Sequence, residues 1–215
     1  MIKKSFYIIL IIVLTGGIGL LSFTSTLAAW APSETTEQIT SPEVPDRNDS
    51  LRYIVFMALD DKGAVISNED QIETQLASFA AVGYTGLIDE IEFPNTYEIT
   101  TKSGSSVSKP VSAILVLSRA DYSKIPLYMD GKIYADKEPA YFDGNYFIVR
   151  VLIAASITRI ASTAFAGCVG LKTLEFEASD NSISIGDHAF SNCMNLANVI
   201  DNDREIIGDD SFIVP

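Results

Sequence analysis

Apolar residues recur in a fixed frame over the last third of the chain. Ile160-Ala161-Ser162-Thr163-Ala164-Phe165 is followed by Cys168 and Leu171. Ile185-Gly186-Asp187-His188-Ala189-Phe190 is followed by Cys193 and Leu196. Ile207-Gly208-Asp209-Asp210-Ser211-Phe212 opens a third copy. One constant offset relates Ile160 to Ile185, Phe165 to Phe190, Cys168 to Cys193, Leu171 to Leu196 and Leu174 to Val199, and the third copy follows slightly sooner. A period in the twenties predicts coils that bury little alone and stack into a solenoid. Strand alternation sends Leu174 and Phe176 inward and Thr173 and Glu175 outward. The corner Ala-Phe-x-x-Cys-x-x-Leu suits one or two helical turns that press three side chains into a core. The predicted repeat core is Ile160, Phe165, Cys168, Leu171, Leu174, Ile185, Phe190, Cys193, Leu196, Val199, Ile207 and Phe212.

Upstream the pattern is less regular. Leu51 to Leu59 is apolar on both faces, as a strand covered on both sides requires. Ser67 reads as a helix cap, with Asp70 as its partner. Ile72, Leu76, Phe79 and Ala80 then share one helical face, and Gly83 reads as the stop. A strand and an amphipathic helix over 51–83 would cap the first coil. From Tyr84 short strands are predicted: Leu87 to Phe93, then Val111 to Leu117, with 102–109 a polar loop. Asp130-Gly131 and Asp143-Gly144 each carry a hairpin signal.

These residues resemble the BspA-like leucine-rich repeat family. The carriers are Ile157 to Cys168 and Ile185 to Cys193, and the match runs from Val149 to Phe212. The resemblance implies an α/β leucine-rich-repeat solenoid. It would be built mostly of short parallel β-strands with short helical corners and an N-terminal strand-helix cap. Weaker likeness reaches back through Gly83-Tyr84-Thr85-Gly86, Ile91 to Pro94 and Pro110 to Ile114. Residues 84–148 then read as worn first repeats and hairpins, and 149–215 as the clear repeats. Ile114 and Ile160 stand two periods apart, which fits one diverged coil between them. Arg119 and Ala120 stand where the corner Phe would be.

Composition adds the compartment. Met1 to Lys4 holds two lysines, an apolar run extends from Phe6 to Phe23, and Ala28, Ala29 and Ala31 follow. Residues 1–29 read as a signal peptide cut after Ala28 or Ala29, or as an N-terminal membrane anchor of minimal length. Residues 30–50, with Pro32, Pro42 and Pro45, read as a disordered linker. The expected location is exported, at the cell surface or secreted. The formal charge of −13 disfavours nucleic acid and anionic membranes as partners. Membrane contact is expected only through the N-terminal segment.

Candidate chemistry is sparse. Cys168 and Cys193 stack in successive coils, and an exported chain permits a disulfide between them. Parallel stacked side chains have the wrong mutual orientation for its near-90° dihedral, so a buried thiol ladder is favoured. His188, the single histidine, sits in a turn without a nucleophile elbow near it. The acidic turns Asp180/Asn181, Asp201/Asp203 and Asp209/Asp210 lack the ligand spacing of a calcium loop. No catalytic, cofactor-binding or metal residues are assigned, and an enzyme within 51–135 is disfavoured. The outward strand positions remain: Arg150, Leu152, Thr173, Glu175, Asn198 and Ile200. With the resemblance, they point to adhesion or protein–protein recognition through the exposed sheet face, with a protein or surface glycan as ligand. The alternative is a structural, stalk or accessory envelope protein without strong ligand binding.

Overall fold

The computed structural model describes residues 50–135, 138–208 and 212. They belong to one compact unit, Pro45–Pro215, and the other unit, Met1–Val44, lies outside them. The leader and all but the last residue of the linker are therefore outside the described residues. Among the described residues no helix is long and apolar enough to cross a membrane.

After a 3-10 turn at Ser50–Tyr53 come β1 (Ile54–Leu59), a 3-10 turn at Glu69–Gln71 and the single helical turn α1 (Ile72–Gln75). Next are β2 (Ser78–Tyr84), β3 (Glu90–Glu92), β4 (Thr96–Thr100) and β5 (Ser106–Ile114). Then follow α2 (Arg119–Tyr122), β6 (Leu127–Met129), β7 (Lys132–Ile133), β8 (Arg150–Ile153) and β9 (Arg159–Ile160). The last are β10 (Thr173–Phe176), β11 (Ile183–Ile185), β12 (Asn198–Ile200) and β13 (Ile206–Ile207). They form two sheets, β13-β11-β9-β5-β2-β1-β6-β7 with β4 also on β5, and β12-β10-β8-β3. From β8 onward the chain alternates between the sheets, and each strand from β10 on pairs in parallel with the strand two before it. The first sheet is mixed, because β1, β2, β6 and β7 meet antiparallel.

The predicted amphipathic helix is replaced by one helical turn and a strand. Asn68, not Ser67, provides the cap, accepting from the Asp70 N–H at 3.0 Å. Ser78–Tyr84 runs as β2 between β1 and β5. Its alternate side chains serve different cores. Phe79 and Ala81 join the main core, and Ala80 and Val82 join a second. β1 divides likewise, Ile54, Phe56 and Ala58 to one and Val55, Met57 and Leu59 to the other. A helix could not have buried four consecutive residues of this stretch on two opposed faces; a central strand does so by its pleat. Gly83 is no helix stop. A Cβ there would lie 1.8 Å from the Ala140 carbonyl oxygen, so the bare backbone is what lets 140 close over β2.

Three other expectations change. The polar stretch 106–109 is the first half of β5, which pairs with β4. Tyr97 and Ile99 of β4 are buried while Thr96, Glu98 and Thr100 are exposed. Ile114 pairs directly with Ile160, so no coil lies between them in that sheet. Asp130-Gly131 does close the β6–β7 hairpin, with φ 51 and 71. Asp143-Gly144 does not make a hairpin. Gly144 (φ 68) donates to the Ala166 carbonyl at 2.7 Å, just as Gly167 (φ 73) donates to Ser191 at 2.7 Å. Phe142, Asn145 and Ile148 precede Phe165, Cys168 and Leu171 by one constant offset, close to the repeat period. They form a further corner, with Asn in place of Cys.

The corners depend on left-handed backbone. Thr163 (φ 62) and His188 (φ 60) hold equivalent positions. A β-branched residue is strained there, whereas Asn tolerates that conformation. Thr163 is exposed, so Thr163→Asn is expected to raise the urea midpoint by about 0.5–1 kcal/mol of stability at unchanged m-value. A midpoint that falls would show that the Thr163 side chain is required.

Candidate binding face

The four-stranded parallel sheet presents its outward residues in two rows. Glu90, Arg150, Thr173 and Asn198 stand in register, as do Glu92, Leu152, Glu175 and Ile200. The sequence-predicted face is therefore brought together, and it gains Glu90 and Glu92, which were assigned no role. Their signal was the Glu-Ile-Glu alternation ahead of Pro94. Arg150 is the hub. Its guanidinium lies 2.7 Å from Glu175, 3.7 Å from Glu90 and 4.0 Å from Glu92. The short contact to Glu175, with the other two carboxylates adding, raises the Arg150 pKa above its ordinary value. One cation among three carboxylates leaves this face acidic. Ile200, 41 % exposed, sits at its open edge.

Beneath the face, Ile160, Phe165, Cys168, Leu171, Leu174, Ile185, Phe190 and Cys193 are buried. Leu196 and Phe212 are partly buried against the same core. Val199 and Ile207 are not buried; they are 47 % and 51 % exposed, because no described strand follows β12 or β13 in either sheet. The corner phenylalanines make a column. Phe142 and Phe165 are 5.2 Å apart, Phe165 and Phe190 5.2 Å at 3°, and Phe190 and Phe212 5.2 Å at 8°.

Both cysteines are free thiols. Cys168 donates to the Phe142 carbonyl at 3.0 Å and Cys193 to that of Phe165 at 3.2 Å. The hydrogen bond with Cys193 and burial both push the Cys168 thiol well above its ordinary pKa. His188 is an exposed turn residue. Asp201 accepts from the Asp203 N–H at 3.2 Å and so closes its own turn. Asp209 and Asp210 lie outside the described residues.

A polar strap on the loops after the face strands went unread. Glu177 accepts from the Asn95 amide and the Ala155 N–H, each at 2.9 Å, and Asn95 accepts from the Ser156 N–H at 3.0 Å. Arg204, 3 % exposed, donates to the carbonyls of Ala154 (3.1 Å), Ala155 (3.3 Å), Asn181 (3.1 Å) and Ile157. A lone Arg in an Asp-Asn-Asp-Arg turn carries no sequence signal for burial.

Two parallel strand rows and a stacked phenylalanine column accompany corners that recur at a nearly constant period. Residues 138–214 match the model of the BspA type leucine rich repeat region, with 6 copies. This segment is similar to BspA-type leucine-rich repeats. The match begins upstream of Val149, which takes in the Phe142 corner. Among solved structures, the chain is similar to a leucine rich cell surface protein from Faecalibacterium prausnitzii A2-165. That similarity has 24% identity and a TM-score of 0.39, over 66% of this chain and 29% of that one. It is also similar to a leucine rich repeat protein from T. pallidum, with 18% identity and a TM-score of 0.34, over 76% of this chain and 64% of that one. The chain therefore spans less than two thirds of either structure. No curated protein matches it.

Proposed function

We propose that the protein is an exported leucine-rich-repeat solenoid, held at the cell surface or secreted, that recognises a protein or surface glycan. Binding uses the outer face of β3, β8, β10 and β12, without catalysis. The observation that carries this reading is the register that gathers Glu90, Glu92, Arg150, Leu152, Glu175 and Ile200 on one partly exposed surface. Exposed strand rows are the usual contact surface of solenoids. The net acidity of the face favours a partner with basic groups.

The test is capture of purified envelope and host-surface proteins by the wild type and by Glu175→Lys. Capture is expected to fall at least tenfold in the variant, with little change in thermal midpoint, because partly exposed ion pairs contribute only about 0–1 kcal/mol. Equal capture by both would move the contact off this face. A second reading, a structural or stalk module, draws support from Arg150, whose charge is already taken up by three carboxylates of its own sheet. Under that reading no purified partner is captured at all.

A further inference from the structure

Away from the strand face, a cavity of about 170 Å³ opens between α1 and the turn joining β4 to β5. Glu69, Asp70, Ile72, Glu73, Thr101, Lys102, Ser103 and Tyr128 line it. Its polar groups are organised. The Glu73 carboxylate accepts from the hydroxyls of Thr101 (2.6 Å) and Ser103. The Lys102 ammonium bridges Glu69 at 3.1 Å and Asp70 at 3.2 Å. At the inner end stands Tyr128, only 1 % exposed. Its hydroxyl is the one buried side-chain polar atom among the described residues without a hydrogen-bond partner. Burial, with the charge of Glu69 adding, pushes this phenol up to about 12, so it keeps its proton at physiological pH. A buried O–H without an acceptor is costly and is rarely left so in a folded protein.

We propose that this cavity binds a small polyhydroxyl ligand, of the size of one sugar ring, through the Tyr128 hydroxyl. The ligand must offer Tyr128 a lone pair and give donors to the surrounding carboxylates. A hydroxyl group does both. An ammonium has no lone pair for the phenol proton. A carboxylate or phosphate would meet Glu69, Asp70 and Glu73 against the single cation Lys102. Among the described residues no group of three or more acidic, His or Cys side chains is placed to hold a metal ion. Ile72, 1 % exposed, supplies an apolar wall for the C–H face of a ring. The cavity holds far more than one water, yet falls below the roughly 300–1,000 Å³ of sites for drug-sized molecules. That sets the ligand at a single ring.

The experiment is saturation-transfer NMR on the full chain with methyl glucoside, methyl galactoside and N-acetylglucosamine as probes, and methylammonium and acetate as contrasts. At least one sugar is expected to bind saturably and to protect the Thr101–Ser105 amides. Tyr128→Phe keeps the ring and removes only the orphan hydroxyl. It is expected to weaken sugar binding roughly five- to tenfold without lowering the thermal midpoint. Glu69→Gln, whose carboxylate pairs with Lys102 on the cavity wall, removes one charged acceptor and is likewise expected to weaken sugar binding. Binding confined to methylammonium or acetate, equal sugar binding by Tyr128→Phe, or a cavity that holds only ordered water would each overturn the proposal.

Discussion

Phe165→Ala is expected to lower the unfolding free energy by about 3–5 kcal/mol. The ring is fully buried and touches three others: Phe142 and Phe190 at 5.2 Å and Phe93 at 6.2 Å. Removing it leaves a cavity that stacked coils cannot close without tilting against one another. It also removes three aromatic contacts, each contributing about 0.5–1.5 kcal/mol beyond area burial. The measurement is urea unfolding followed by far-UV circular dichroism. Val169→Ala, on an exposed corner of the same coil, should change stability by less than about 0.5 kcal/mol. A loss below about 1.5 kcal/mol at Phe165 would mean that the column is not the centre of the core.

Arg204→Met should cost about 2–4 kcal/mol, although it replaces a charged group by an apolar one of similar length. Burial of the guanidinium is unfavourable in itself, and desolvation lowers its pKa from the ordinary value, with Glu177 acting in the opposite sense. What it returns is four carbonyls satisfied by one planar fork, on Ala154, Ala155, Ile157 and Asn181. Methionine would leave them without that donor. Arg204→Lys is expected to recover only part of the loss, because an ammonium cannot span the same set of acceptors. A methionine variant as stable as the wild type, in the same urea titration, would show that solvent replaces the fork at no cost.

The repeat frame was legible because its coils reuse the same residue types at nearly constant spacing. The outward row of β8, β10 and β12 was legible for the same reason, since alternation in a parallel strand sets which residues face out. Legibility failed where one stretch served two purposes. Phe79-Ala80-Ala81-Val82 satisfies a helical face through Ile72 and Leu76, and only the presence of strands on both sides makes it a strand. The Phe142 corner was hidden by Asn145 in the Cys position and by Asp143-Gly144, which is also hairpin chemistry. Ile114 and Ile160 carried a spacing of two periods but lie side by side, because much of the stretch from Leu115 to Tyr134 leaves the repeat to build the second core. The contributions of Arg204 and Tyr128 depend on distant carbonyls and on a missing partner. Neither leaves a local trace in sequence.

The division of β1 and β2 between two cores has a mechanical consequence. A side chain from either strand cannot leave one core without its neighbours leaving the other, so this part of the molecule opens all at once or not at all. At the opposite limit, β12 and β13 carry exposed Val199, Ile200 and Ile207, and of their apolar residues Ile206 alone packs against the core. Among the described residues, the β1–β2 region is thus held more firmly than β12 and β13. Peeling of β12 and β13 under load or heat would have to release Arg204, which clips its own loop to the two loops that hold Ala154, Ala155 and Ile157, and Asn181.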